Sequence, residues 1–288
     1  MLDFDAISAF DTHVHLGTRE WMVDSMGPYH ASVERYFNTK MEPVELSEMV
    51  DLYRGLNLGA LLLAWDAERH TGRPPLSNRR VAAICEQYPD VFIGFGSVDP
   101  HRADAEARLE EVRDLGLLGL KLHPTLQNFE PDDPSLAPFF ESAARLRLRL
   151  LVHTGTSGVG AGEPGGQGLA LDYCRPMRLD ALAARYPEMS ILLAHVGWPW
   201  HLEALAMALH KTNVFIDISG WKPKYLPPDV LRDMKGRLRR QFCFGTDYPM
   251  FDPQAQLAAM EELALPDSVA PLVMKDNARR FLGLGTAG

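Results

Sequence analysis

Ile7-Ser8-Ala9-Phe10-Asp11-Thr12-His13-Val14-His15-Leu16-Gly17-Thr18 opens on a short apolar run, Ile7–Asp11, and passes straight into two histidines one residue apart. An open, doubly wound sheet that binds a nucleotide needs a glycine turn here, where backbone N–H groups cradle phosphate. Imidazoles stand there instead. Seven further runs of the same kind follow: Ala60–Ala64, Val91–Gly96, Gly119–Leu122, Arg149–Val152, Ser190–Ala194, Val214–Ile218 and Gln241–Phe244. Each is brief, rich in Leu, Ile, Val or Phe, and bounded by Gly, Pro, Asn or Asp, the pattern of parallel strands buried on both faces. Helical spacing fills the segments between. Leu46, Met49, Val50 and Tyr53 fall on one face, as do Leu202, Leu205, Ala206 and Leu209. Eight strand–helix units in 288 residues predict an α/β protein, a (β/α)8 TIM barrel. It reads as a single domain over residues 1–288, with insertions at about 18–44 and 154–175.

Composition narrows the function classes. With 46% hydrophobic and 23% charged residues the chain is ordinary globular material. Its 29 Lys+Arg against 38 Asp+Glu leave a formal charge of −9, which repels a phosphate backbone, so nucleic acid is not an expected partner. The basic stretches Arg145–Arg149 and Arg237–Arg240 are short, interleaved with leucine, and read as solvated helix ends. Three scattered cysteines, Cys85, Cys174 and Cys243, make neither a disulfide framework nor a zinc knuckle. The chain starts without a basic signal region, and no apolar run approaches the ~20 residues of a membrane span. The expectation is a cytoplasmic protein with no membrane partner.

A barrel enzyme carries its reacting groups where the strands end, because the loops that follow them form the open mouth. The first strand here ends in Asp11-Thr12-His13-Val14-His15, the fourth in Lys121-Leu122-His123, the fifth in His153, the sixth in His195 and the eighth in Asp247. Five of ten histidines thus occupy a few mouth positions, a concentration that scattered surface histidines would not produce. His13 and His15 are two apart and share a strand face. With His153 and Asp247 from across the ring they make a set of N/O donors with room for a further ligand, the pattern of a catalytic metal site. A metal so held polarises a substrate oxygen and activates a bound water. His195, not needed as a ligand, is placed as a general acid/base.

Taken together, Gly119-Leu120-Lys121-Leu122-His123-Pro124, Val152-His153-Thr154-Gly155, Ala194-His195-Val196-Gly197 and Phe244-Gly245-Thr246-Asp247-Tyr248-Pro249 resemble the amidohydrolase superfamily. More narrowly they resemble its amidohydrolase 2 branch. That branch includes aminocarboxymuconate-semialdehyde and γ-resorcylate decarboxylases, lactonases and C–C bond hydrolases of aromatic catabolism. The resemblance runs from Asp11 to Leu282. It implies that His13 and His15 are first-strand metal ligands, His153 the fifth-strand ligand and Asp247 the eighth-strand carboxylate. It also implies that His195 activates the metal-bound water. The resemblance further implies that Asp247 both touches the metal and shuttles a proton. In binuclear relatives a fourth-strand lysine bridges two metals; here one metal is expected, with Lys121 as a substrate-anion or structural contact. Homodimers are common in the branch, so a homodimer is the expected assembly.

Trp21, Trp65, Trp198, Trp200, Trp221 and Tyr248 all follow strand ends, an aromatic collar suited to a planar or apolar substrate. Substrate contacts are therefore expected from Trp21, Trp65, Lys121, His123, Trp198, Trp221 and Tyr248. Arg19, with Arg73, is placed to hold a substrate carboxylate. Gly160 to Gly165 spells G-x-G-x-x-G, but Pro164 and the following glycines cannot open a helix, so a loop over the mouth is the better reading. The leading expectation is a hydrolase with one divalent metal, zinc first and manganese second, attacking a lactone, an amide or the C–C bond of a β-keto or aromatic catabolite. The alternative is a non-oxidative decarboxylase, a lyase of aromatic or muconate-type acids using the same donors. A third reading is an inactive metal-binding scaffold.

Overall fold

The computed structural model describes residues 2–285. Eight parallel strands follow one another around a ring: β1 Ala9–Val14, β2 Leu58–Leu63, β3 Phe92–Phe95, β4 Gly119–Leu122, β5 Arg149–Val152, β6 Ile191–Leu193, β7 Val214–Asp217 and β8 Phe242–Cys243. Continuous ladders join β1 through β3 and β4 through β8. Two narrower seams close the circle. Between β3 and β4, Gly96 N–H donates to Gly119 C=O at 2.8 Å and Lys121 N–H to Gly96 C=O at 2.7 Å. Between β8 and β1, Thr12 N–H donates to Phe244 C=O at 3.0 Å, Asp247 N–H to His13 C=O at 2.9 Å and His15 N–H to Tyr248 C=O at 2.9 Å. The result is a TIM barrel, with a helix after every strand.

Alternation along the strands sorts two apolar layers. Leu61, Leu63, Phe95, Leu151, Leu192, Phe215 and Cys243 fill the barrel interior, and Phe4, Phe281 and Leu282 join them. Their neighbours Ala60, Leu62, Leu120, Leu122, Leu150, Val152, Leu193 and Ile216 face the surrounding helices. Lys121, between two outward leucines, therefore points inward and is 2% exposed. Helix Leu46–Gly55 buries Met49, Val50 and Tyr53, as its spacing predicts.

Two expectations need correction. The first strand begins two residues later than Ile7 and runs to Val14, so His13 is part of the strand; its polar residues earn their pairing from the residues after β8. Helix His201–His210 buries Ala204, Leu205, Met207 and Ala208, while Leu202 and Leu209 are 60% and 51% exposed. Small alanines win the inner face because the helix lies close to the chain after β6, where a Cβ on Gly197 would stand 3.5 Å from that of Ala204. The stretch 18–44 between the first strand and helix Leu46–Gly55 forms helices Glu20–Ser25 and Tyr29–Phe37. The second helix docks on the loop after β5, through Gly160 N–H to Ser32 Oγ at 3.0 Å and an Arg35–Glu163 ion pair. Residues 158–168 remain loop and short turns, and no long helix opens on the glycines.

Candidate active site

A register break aims the first two histidines. Asp11 pairs with Ala60 and Val14 with Leu62, so three steps along β1 match two along β2. The extra residue is a bulge, which re-aims the side chains beyond it. Phe10 faces the barrel interior and Val14 the helices; without the bulge both would share a side, and His13 and His15 would point away from the mouth. Instead His13 Nε2 and His15 Nε2 lie 3.5 and 3.6 Å from Asp247 Oδ1.

Asp217, the last residue of β7, organises this cluster from behind. It is fully buried and accepts from His13 Nδ1 at 3.0 Å, His195 N–H at 2.9 Å and Ser219 N–H at 3.0 Å. A carboxylate only accepts, so His13 carries its proton on Nδ1 and presents the Nε2 lone pair to the centre. Lys121 Nζ donates to that nitrogen at 2.8 Å. His195 Nδ1 lies 3.0 Å from Ser219 C=O, which places the proton there and leaves Nε2 as the basic atom. Asp11 fastens the eighth loop to β1: it accepts from Thr246 N–H and Oγ1 at 2.8 and 2.6 Å, and from Tyr53 OH at 2.9 Å.

Burial sets the basicities. It holds His13, His15, His123 and His153 well below the usual imidazole range, reinforced by neighbouring cationic groups. His195 is lowered to about 4 by burial, against the pull of Asp217. Burial also lowers Lys121 to about 8, against Asp247 and Asp217, and raises the Asp247 carboxyl. Neutral imidazoles are what a divalent ion needs, and Lys121 would release His13 Nε2 to leave that lone pair to one. Two donors each ~2.1 Å from one ion stand about 3–3.5 Å apart, close to the separations found, so His13, His15 and Asp247 fit a common ion.

His153 falls outside that triplet. Its ring stacks on His123 at 3.9 Å and 8°, borders His195 at 4.7 Å, and its Nε2 faces Thr156 C=O at 3.1 Å. A carbonyl accepts, so Nδ1 holds the lone pair. His123, His153 and Cys174 also lie within 4.8 Å of one another. Face-to-face imidazoles cannot aim two in-plane lone pairs at one point, so those three do not make a second cation site as arranged.

Sharp turns bring the catalytic candidates together. His195 and Asp247 sit at φ 60° and 70°, left-handed conformations usually kept for glycine. Gly220, at φ 72°, passes between them: a Cβ there would meet His195 Nδ1 at 2.9 Å and Asp247 Oδ2 at 3.2 Å. Gly220→Ala is therefore expected to cost about 1–3 kcal/mol of stability and to displace both side chains. Thermal melts and the turnover assay described below check this; unchanged activity would show that the turn tolerates a Cβ.

Above the cluster opens a cavity of about 370 Å³. Trp21 stacks on His15 at 4.5 Å and 4°, and Trp65 meets Trp21 and His15 edge-on at 5.7 and 5.4 Å. Trp198 and Trp221 form a second edge-on pair at 5.7 Å, also lining the cavity. Lys121, His123, His153 and His195 complete the floor. Three expected contacts do not reach it. Arg19 is exposed and does not line the cavity; one residue past the buried Thr18, it points to solvent. Arg73 donates to the carbonyls of Asp24 and Val23 at 3.0 and 3.3 Å, capping the end of helix Glu20–Ser25. Tyr248 packs into the space over Gly17 and against Tyr53, 6.0 Å away. Trp200 stays outside as well, under Arg175.

Sequence reading missed Asp217, Ser219 and the walls from Tyr36, Phe37, Met250 and Phe251. Asp217 had a signal: a lone carboxylate closing the apolar run Val214-Phe215-Ile216, at a strand's C-terminal end. Tyr36 and Phe37 had none, since only the docking of helix Tyr29–Phe37 brings them over the mouth, whereas Met250 and Phe251 follow the eighth strand end directly.

Comparisons with known proteins agree with this architecture. An uncharacterized TIM-barrel protein from Bordetella bronchiseptica superposes with TM-score 0.77 at 20% identity, over 96% of this chain and 98% of that one. The 5-carboxyvanillate decarboxylase of Novosphingobium aromaticivorans, complexed with manganese and 4-hydroxy-3-methoxy-5-nitrobenzoic acid, superposes with TM-score 0.68 at 18% identity, covering 96% of each chain. At such identities the likeness is one of fold. In sequence, the 2-amino-3-carboxymuconate-6-semialdehyde decarboxylase of Dictyostelium discoideum is 32% identical over 80 residues, which is 26% of this chain and 22% of that protein. Residues 10–284 match the family model described as Amidohydrolase. That span runs from the strand bearing His13 and His15 past the last helix, and the chain belongs to the amidohydrolase family.

Proposed function

We propose that the protein is a metal-dependent, non-oxidative decarboxylase of a planar unsaturated or aromatic acid. The observation that carries this is the slot itself: two tryptophan pairs, Trp21–Trp65 and Trp198–Trp221, wall a small cavity that reaches His15 and Asp247, with His13 buried behind them. Its volume of about 370 Å³ sits at the small end of the ~300–1,000 Å³ typical of ligand sites. The decarboxylase relatives support the same reading, and for that reason it displaces the hydrolase expected from sequence.

His13, His15 and Asp247 would hold one divalent ion, with His153 offering Nδ1 as a fourth donor. Bound there, zinc or manganese would act as a Lewis acid on the substrate's carboxylate. The chain's own residues supply the rest. Flat indole faces orient the substrate ring and exclude water from it. Asp247, whose carboxyl burial raises, delivers a proton to the ring carbon that bears the carboxylate, and neutral His195 accepts a proton from the substrate at Nε2. The C–C bond then breaks, its electrons return to the ring, and carbon dioxide leaves.

The test is turnover of ortho-hydroxybenzoic, aminobenzoic and muconic acids by protein loaded with zinc or manganese. Carbon dioxide release is expected, with one deuteron from heavy water at the vacated carbon. Dialysis against a strong chelator should abolish it and added metal restore it. Oxygen-18 from water entering the organic product would instead identify a hydrolase, and no turnover of any acid would favour a scaffold.

A further inference from the structure

The cavity's charges are unevenly distributed. Among the described residues that line it, the only carboxylate is Asp247, the cations are Lys121 and Lys222, and no arginine takes part. Lys121 lies at the buried end, 2% exposed and committed to His13 Nε2 at 2.8 Å. Lys222, by contrast, is exposed and so lies at the solvent-facing rim, near the half-buried Trp221 and Tyr225, which is 64% exposed. Its neighbour Lys224 sits 5.0 Å over the Tyr225 ring. No carboxylate pairs with Lys222 among the described residues. On a chain of formal charge −9, a lone cation at the rim of an aromatic slot makes a local field that favours an anion there.

We infer that Lys222 is a specificity residue, which recognises a second anionic group on the substrate, remote from the carboxylate that reaches the metal-binding floor. The substrate class is thus a planar dicarboxylate, or an acid with an equivalent distal anion, spanning floor and rim between the tryptophan pairs. The backbone supports the placement. Lys222 immediately precedes the short turn Pro223–Tyr225, closed by Tyr225 N–H to Lys222 C=O at 2.9 Å, so the side chain springs from an ordered corner. This rests on the reading of the cavity as a site for carboxylic acids.

Binding, without turnover, tests it. Quenching of the cavity tryptophans in zinc-loaded protein would be titrated with benzoate, benzene-1,3-dicarboxylate and benzene-1,4-dicarboxylate. At least one dicarboxylate should bind about five- to tenfold more tightly than benzoate, the order expected of a charge-assisted contact at a partly exposed position. Lys222→Met should bring it within about twofold of benzoate while leaving benzoate itself unchanged. Lys222→Arg should keep the preference, and Lys224→Met should leave all three affinities as they were. Wild-type protein without a preference, a preference that survives Lys222→Met, or an equal loss for all three probes would overturn the inference. A Lys222-dependent preference in a protein that releases carbon dioxide from no acid would overturn the decarboxylase reading alone. Turnover without the preference would overturn this inference alone.

Discussion

Asp247→Asn is expected to lower kcat by about 10²–10⁴, the range associated with a positioned proton-transfer group, with little change in thermal stability. Asparagine keeps the size of the side chain and is among the residues that best tolerate the left-handed backbone, so the φ of 70° at this position is preserved. What it removes is the charge of the oxygen 3.5 and 3.6 Å from His13 and His15, and the proton the carboxyl's other oxygen can carry. Metal content per chain at limiting zinc should fall together with the rate. Activity near the wild-type level with saturating metal would count against both roles proposed for Asp247.

His195→Asn should separate catalysis from metal binding. Asparagine again suits the φ of 60°, and its amide can replace the Nδ1–H bond to Ser219 C=O. It has no basic nitrogen in place of Nε2. Turnover should fall by about 10²–10⁴ while the metal stays bound, because His13, His15 and Asp247 are untouched. The pH profile adds a second readout. The wild-type imidazole is held at about 4 and acts in its neutral form. Its contribution therefore rises as pH increases through about 4 and is full at neutrality. The variant should lack that acid limb, and loss of metal from it would make His195 a ligand rather than a base.

Much of the molecule was legible in the chain. Eight short apolar runs told of parallel strands because a strand buried on both faces needs no polar alternation, and β4 and β5 stand where those runs were placed. The concentration of His13, His15, His123, His153, His195 and Asp247 at strand ends marked the mouth, since only there do side chains from distant segments converge. Arginine was misjudged for a related reason. Loop position says that Arg19 and Arg73 are near the mouth, but the direction of a loop side chain is set by what packs beside it.

Eight buried strands and the chemical types gathered at one end were written in the chain, because these follow from periodicity and from the two-residue repeat of a strand, and imidazoles in place of a glycine turn pointed to a closed barrel. Tertiary structure alone decided where the reacting atoms point. A bulge in β1 turned His13 and His15 inward, Asp217 chose the tautomer of His13, and a helix from residues 29–37 roofed the tryptophan slot. The physical reason is the same in each case. Hydrophobic patterning specifies which face is buried, a property of neighbouring residues. Hydrogen-bond partners and register breaks depend on groups far away in the chain, 235 residues in the case of Asp11 and Thr246, and these exist only once the ring has closed.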